Sequence, residues 1–181
     1  MSRFNDISLD LETLDVTPNA VIIAIGACRF DINSGEIGDT FYRNTTEESG
    51  LAFGMTVSAR TIEWWSQQSQ EAKDALKVDQ VSIQQACEDF RYWVKDMPKN
   101  QRLWGNGVGF DNVILRNSFD KCQIPFPVFF TKDMDMRTLR FLGPKKLASK
   151  IEDVGIAHHA LDDAIYQARV ISALYREVKY C

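Results

Sequence analysis

Several common assignments are closed off by what this sequence lacks. No apolar run approaches the roughly 18–20 residues that a membrane span requires, and the opening residues MSRFNDISLD contain no apolar targeting core. The chain is therefore expected to be soluble and cytoplasmic, with no membrane partner. Cys28, Cys87, Cys122 and Cys181 never fall at CxxC spacing, which argues for reduced cysteines and against a zinc site or a disulfide frame. The glycines at 105, 107 and 109 lack the lysine of a phosphate-gripping loop, and no strand-linked GxGxxG is present. The chain has only two histidines, His158 and His159, so a metal phosphohydrolase built on several histidines is a poor fit. Repeats and low-complexity segments are also missing.

What is present is the composition of an ordinary globular domain: 181 residues, 45% hydrophobic and 25% charged. That length is enough to bury a core, and a single domain over residues 1–181 is expected. The net charge of −4 announces no nucleic-acid binder, but its distribution is uneven. Residues 1–90 carry 6 basic and 15 acidic side chains, whereas residues 91–181 carry 15 basic and 10 acidic ones. Within the basic half, Arg137, Arg140, Lys145, Lys146 and Lys150 follow one another with no acid between them. Such a stretch could hold phosphates, or it could be a solvated loop and helix face.

Periodicity gives the elements. Residues 6–12 alternate apolar and polar, residues 20–30 (AVIIAIGACRF) form an apolar β-rich run, and a third strand is expected over 37–43 after the Asn33-Ser34-Gly35 turn. Tight connections make these three an antiparallel meander. The period then changes to about 3.6: residues 61–76 read as helical with a break near Ser69, and Ser82 caps a helix through Val94 that Pro98 ends. A short strand at 102–104, a helix over 110–122, a strand at 132–135, a helix at 138–142 and a closing helix from Leu161 to about Lys179 complete the chain.

Three stretches carry chemistry. In the first strand, Asp10 and Glu12 land on one face because strand side chains alternate. Two carboxylates about 7 Å apart repel each other unless a cation sits between them, and a divalent metal is the simplest one. The rival explanation is an edge strand with a solvated polar face. In WGNGVGFDN, Asp111 stands at the mouth of a strand-to-helix turn, where a carboxylate is also simply favourable for the helix dipole. In His158-His159-Ala160-Leu161-Asp162-Asp163, Asp163 falls in the first turn of the closing helix and His158 in the loop before it. His159 is a rival to His158 because it precedes Asp163 by four, the same-face spacing of a continuous helix. Asp162 is expected to cap or support, and Asp163 to be the ligand.

As a set, these positions resemble the DEDDh subgroup of the DnaQ-like 3′-5′ exonucleases. The first motif matches as Asp10-Leu11-Glu12-Thr13, the second as Gly107 through Asp111, and the third as His158 followed five positions later by Asp163. The likeness extends over nearly the whole chain, to phage and prophage exonucleases and a related group of bacterial exoribonucleases. It rests on Trp64-Trp65 with Gln68-Ser69, Trp104-Gly105-Asn106-Gly107 with Phe110-Asp111-Asn112, and Arg137-Thr138-Leu139. One departure is Leu14-Asp15, where many members have a small pair such as Thr-Gly. It bears on how the 3′-terminal nucleotide is seated.

The resemblance implies an α/β ribonuclease H-like fold, with a central mixed sheet of five to six strands, the first three antiparallel, flanked by helices. It implies two Mg²⁺ or Mn²⁺ ions held by Asp10, Glu12, Asp111 and Asp163, His158 as general base, and release of nucleoside monophosphates from single-stranded DNA or RNA 3′ ends. Thr13, Leu14, Asn106, Phe110 and Trp64 become candidates for substrate contact, with Leu14 or Phe110 as a wedge against the last base. Relatives of this size are often homodimers. Two readings compete: a metal-dependent phosphatase of small phosphomonoesters, to which Glu12 is poorly suited, and an inactive nucleic-acid-binding module on the same fold.

Overall fold

The alternation of the first stretch resolves into β1 (Asp6–Thr13), which pairs antiparallel with the apolar β2 (Ile22–Phe30). Beyond it, β3 (Ile37–Asn44) pairs antiparallel with β2. On the other side of β1, β4 (Arg102–Gly105) and β5 (Asp133–Asp135) run parallel to it, giving a five-stranded mixed sheet in the order β3-β2-β1-β4-β5. The first strand is thus the centre of the sheet and not an edge, so its acids are not simply turned to bulk water. This computed structural model describes residues 4–97, 100–152 and 155–179; Pro98 and Cys181 lie outside them.

Helices cover both faces. Seven occur among the described residues: α1 (Glu47–Ala52), α2 (Ala59–Ser66), α3 (Gln70–Ala75), α4 (Ile83–Val94), α5 (Asp111–Lys121), α6 (Met136–Leu142) and α7 (Ala160–Lys179). One face of β1 sends Ile7, Leu9 and Leu11 into a core shared with Ile83, Phe90 and Val94 of α4 and Leu115 and Phe119 of α5. The other face packs Cys28, Phe30 and Trp104 against Ala168, Val170, Ile171 and Leu174 of α7. The expected stripe of Ile83, Ala86, Cys87, Phe90 and Val94 is buried throughout, with Ser82 capping α4 through Gln85 N–H. The expected helix over 61–76 divides into α2 and α3, and Ser69 is the N-cap of the second. Helix α1 has too short a pattern to be seen from periodicity, and α6 begins two residues earlier than expected.

Two features of the sheet set the geometry at the C-terminal half of β1. At Gly26, directly opposite Asp10, a Cβ would lie 2.1 Å from the backbone carbon of Ala160. Only a glycine lets the start of α7 press onto the strand there. The β1–β2 register also shifts between Glu12 and Thr13, the kind of irregularity that re-aims side chains at the end of a strand.

Candidate active site

Five side chains from three parts of the chain line one cleft of about 350 Å³: Asp10 and Glu12 of β1, Asp111 of α5, Asp163 of α7, and His158 from the loop before α7. Candidate ligand atoms of Glu12, His158 and Asp163 lie within 4.8 Å of one another. Asp111 is fixed by its Oδ1, which accepts the Leu11 backbone N–H at 3.2 Å. The helix starts do the aiming. Phe110 is the N-cap of α5, so Asp111 opens its first turn, and α7 begins at Ala160, so Asp163 lies in its first turn.

The two histidines part company. His158 sits at φ +63° and turns toward the cleft, its ring edge-on to Trp64 with centroids 4.8 Å apart. His159 stacks on Tyr42 at 4.4 Å and approaches Asp162 Oδ2 with Nδ1 at 3.2 Å. It lines no part of the cleft. The Asp162 carboxylate accepts the Ile156 N–H at 3.0 Å and so closes the loop that carries both histidines.

The acids are costly as they stand. Removal from water, followed by the charges of Asp163 and Asp111, pushes the Glu12 carboxyl up to about 9. Burial raises Asp111 to about 7, against hydrogen bonds from the Leu11, Asp111 and Asn106 backbone and the positive charge of Arg137, which lower it. Asp10 is raised by desolvation first and then by Asp111, Glu12 and Asp163, while the Gln167 amide, donating to its Oδ1 at 2.6 Å, pulls it down. Among the described residues no lysine or arginine forms an ion pair with Asp10, Glu12 or Asp111. Arg137 and Arg140 line the same cleft without pairing with these three acids, and an oxygen-rich group of this kind suits a hard divalent cation.

A second hollow of about 490 Å³ adjoins the cleft, sharing Leu11, Glu12 and Phe110 with it and adding Thr13, Val16, Ser58, Arg60, Thr61, Trp64 and Trp65. Trp65 is buried and its Nε1–H donates to the Thr13 carbonyl at 3.0 Å, while Trp64 stays 40% exposed. Asn106 lines the acidic cleft. Leu14 lines neither hollow: it is buried in the core, where its N–H donates to the Val21 carbonyl at 2.9 Å. Leu11 and Phe110 occupy the border between the two spaces, the place expected for Leu14.

Two contributors were not foreseen. Gln167 is a buried polar residue on an otherwise apolar helix face, one turn after Asp163, and that pattern was available in the sequence. Gly26, a lone glycine inside an apolar strand, likewise signals close backbone approach. Neither signal names its partner.

A central strand bearing acids, a helix entering with a third and a closing helix with a fourth define the class of 3′-5′ exonucleases on the ribonuclease H-like fold. The family model of the Rv2179c-like 3′-5′ exoribonuclease domain matches residues 5–175, and the chain belongs to that family, a DnaQ-like 3′-5′ exonuclease. No curated protein matches the sequence. Solved structures with the same fold include S. pombe Pop2p in its Mg²⁺- and Mn²⁺-bound form, with TM-score 0.69 and 18% identity over 96% of this chain and 83% of that one. The nuclease domain of 3′hExo, a DEDDh family member bound to rAMP, gives 0.67 and 18% over 97% and 94%. The E. coli ExoI–ssDNA complex in its zinc-bound form gives 0.65 and 16% over 97% of this chain but 41% of that one. At these identities the likeness is one of fold. No described helix is long and apolar enough to cross a membrane.

Proposed function

We propose that the chain acts as a single domain that shortens single-stranded RNA from its 3′ end, releasing nucleoside monophosphates, with two divalent cations held by Asp10, Glu12, Asp111 and Asp163. The observation that carries this reading is the convergence of those acids and His158, from 10 to 163 in the chain, on one cleft. Carboxyls raised by burial at Asp10, Glu12 and Asp111, none of which forms an ion pair among the described residues, fit Mg²⁺ or Mn²⁺. Both ions accompany Pop2p, and the family description together with the rAMP-bound relative supports RNA over DNA.

Bound there, the two cations supply positive charge that offsets the phosphate and the charge developing on the attacking and leaving oxygens. The chain's own groups do the rest. His158 takes the proton of the attacking water as general base. Gln167 fixes the Asp10 carboxylate by its 2.6 Å hydrogen bond. Arg137, whose guanidinium rests against the Gly107 backbone, lines the cleft where a phosphate would enter. The terminal base enters the apolar hollow past Leu11 and Phe110, and Trp64 offers it a face, a stacking contact of about 1–3 kcal/mol.

The test is digestion of 5′-labelled single-stranded RNA and DNA with Mg²⁺, Mn²⁺ or EDTA. A ladder shrinking from the 3′ end, stopped by EDTA, is expected. His158→Ala should slow it about 10²–10⁴-fold with metal affinity retained. Equal rates in the variant would remove His158 from the mechanism. Phosphate release from small phosphomonoesters without shortening of RNA would favour the phosphatase reading instead.

A further inference from the structure

The acidic cleft adjoins a third space. It shares Arg140 and Tyr166 with a groove of about 320 Å³ that is also lined by Pro144, Lys145, Ala148, Ser149 and Leu174. These are not the residues that join the cleft to the apolar hollow, which are Leu11, Glu12 and Phe110. The carboxylate cleft therefore has two different neighbours: one mainly apolar and aromatic, with Arg60 and Glu12 as its charged residues, and one with two cations. No carboxylate lines the basic groove among the described residues, and neither Arg140 nor Lys145 forms an ion pair there. Its wall is anchored: Tyr166 of α7 donates its hydroxyl to the Ala148 carbonyl at 3.4 Å and so ties down the 3₁₀ turn Ala148–Lys150.

We propose that this groove is a subsite for the phosphate one nucleotide upstream of the scissile bond, with Arg140 at its mouth and Lys145 inside it. The inference rests on the exonuclease reading above. An enzyme that cuts the last phosphodiester must hold two unlike things on either side of the reacting phosphorus. On one side is a single nucleoside, whose base is the apolar part; on the other is the remaining chain, which carries one negative charge per nucleotide. The tryptophan-lined hollow suits the first, and a groove with two free cations and no acid suits the second. The basic stretch is thereby divided. Arg137 serves the cleft, Arg140 both spaces and Lys145 the groove alone, whereas Lys146 and Lys150 line neither.

The consequence is a dependence on length at the shortest substrates. A dinucleotide with a 5′-hydroxyl has only the scissile phosphate, and a trinucleotide has one more to place in the groove. Steady-state cleavage of both, in Mn²⁺ and at several salt concentrations, reads this directly. For the unmodified protein, kcat/KM is expected to be higher on the trinucleotide and to fall more steeply with salt, by about 0.7 in log–log slope per added phosphate contact. Lys145→Ala should lower kcat/KM on the trinucleotide about threefold and Lys145→Glu about tenfold, the size expected of exposed charge contacts, with the dinucleotide rate unchanged. Lys145→Arg should restore the trinucleotide rate, and Lys146→Ala should change neither substrate. Equal cleavage of the two substrates by the unmodified protein, or equal loss on both in Lys145→Ala, would overturn the subsite and leave the exonuclease reading standing. Cleavage of neither by the unmodified protein would overturn both. An unchanged thermal midpoint for each variant separates these outcomes from misfolding.

Discussion

Asp6 and Asp10 lie on the same face of β1, four positions apart, and the fold treats them in opposite ways. Asp6 is 1% exposed and fully answered: Arg102 Nε and Nη2 donate to its two oxygens at 2.6 and 2.7 Å, and Trp104 Nε1 donates at 2.7 Å. It ties β1 to the neighbouring β4. Asp10 shares its surroundings with Glu12, Asp111 and Asp163, and the hydrogen bond it receives from the protein comes from the neutral Gln167 amide. A buried carboxylate matched by the protein's own cation is a structural element. One left among other carboxylates keeps its proton or waits for a cation from solution.

Exchanging the two sites' behaviour should be impossible, and this gives the largest effect. Asp10→Asn or Asp111→Asn is expected to lower exonuclease turnover about 10³-fold or more, since several kcal/mol of charge stabilisation depends on the cations they hold. The metal-free thermal midpoint should stay level or rise, because a repelled acid has gone. A fall in that midpoint with turnover preserved would reverse the assignment. Asp6→Ala should do the opposite. Removing the carboxylate that Arg102 and Trp104 share costs about 1–3 kcal/mol, read in urea unfolding, while the rate per folded molecule persists.

Next in size is the dependence on pH. In the metal-free protein Glu12 is held up to about 9 and Asp111 to about 7, so the folded chain binds more protons than the unfolded one from about pH 4.5 upward. Stability then falls as pH rises through that window to about 9, the sign required when the native state holds the extra protons. Mn²⁺ or Mg²⁺ should flatten the slope and add stability, most at the alkaline end, by about 2.7 kcal/mol at a hundredfold excess over Kd. Calorimetry at pH 6 and 8.5, with and without metal, checks this; an equal metal response at both values would contradict it. The smallest effect is at Gln167. Gln167→Leu removes one hydrogen bond to Asp10, for about 0.5–1.5 kcal/mol, and should appear as a modest rise in the metal concentration needed for half-maximal rate.

Much of this is legible in the sequence alone. The strands, the α4 stripe and the break at Ser69 rest on local periods, and so does the placement of Asp10 and Glu12 on one face. Other features are not. Leu14 follows the first motif and looked like a wedge, yet a register shift after Glu12 and pairing with Val21 turn it into the core, leaving Leu11 and Phe110 at the border. His158 and His159 are adjacent and chemically equal, and only the left-handed turn at His158 sends one to the cleft and the other onto Tyr42.

By itself the sequence determined which residue types were available and which of them share a face, because alternation along a strand and rotation along a helix depend only on near neighbours. Tertiary structure decided which acid met Arg102 and which met other acids, and that Gly26 would admit α7 beside Asp10. These are contacts between residues about a hundred or more positions apart. Charge balance is a property of assembled surroundings, and no local pattern in the chain contains it.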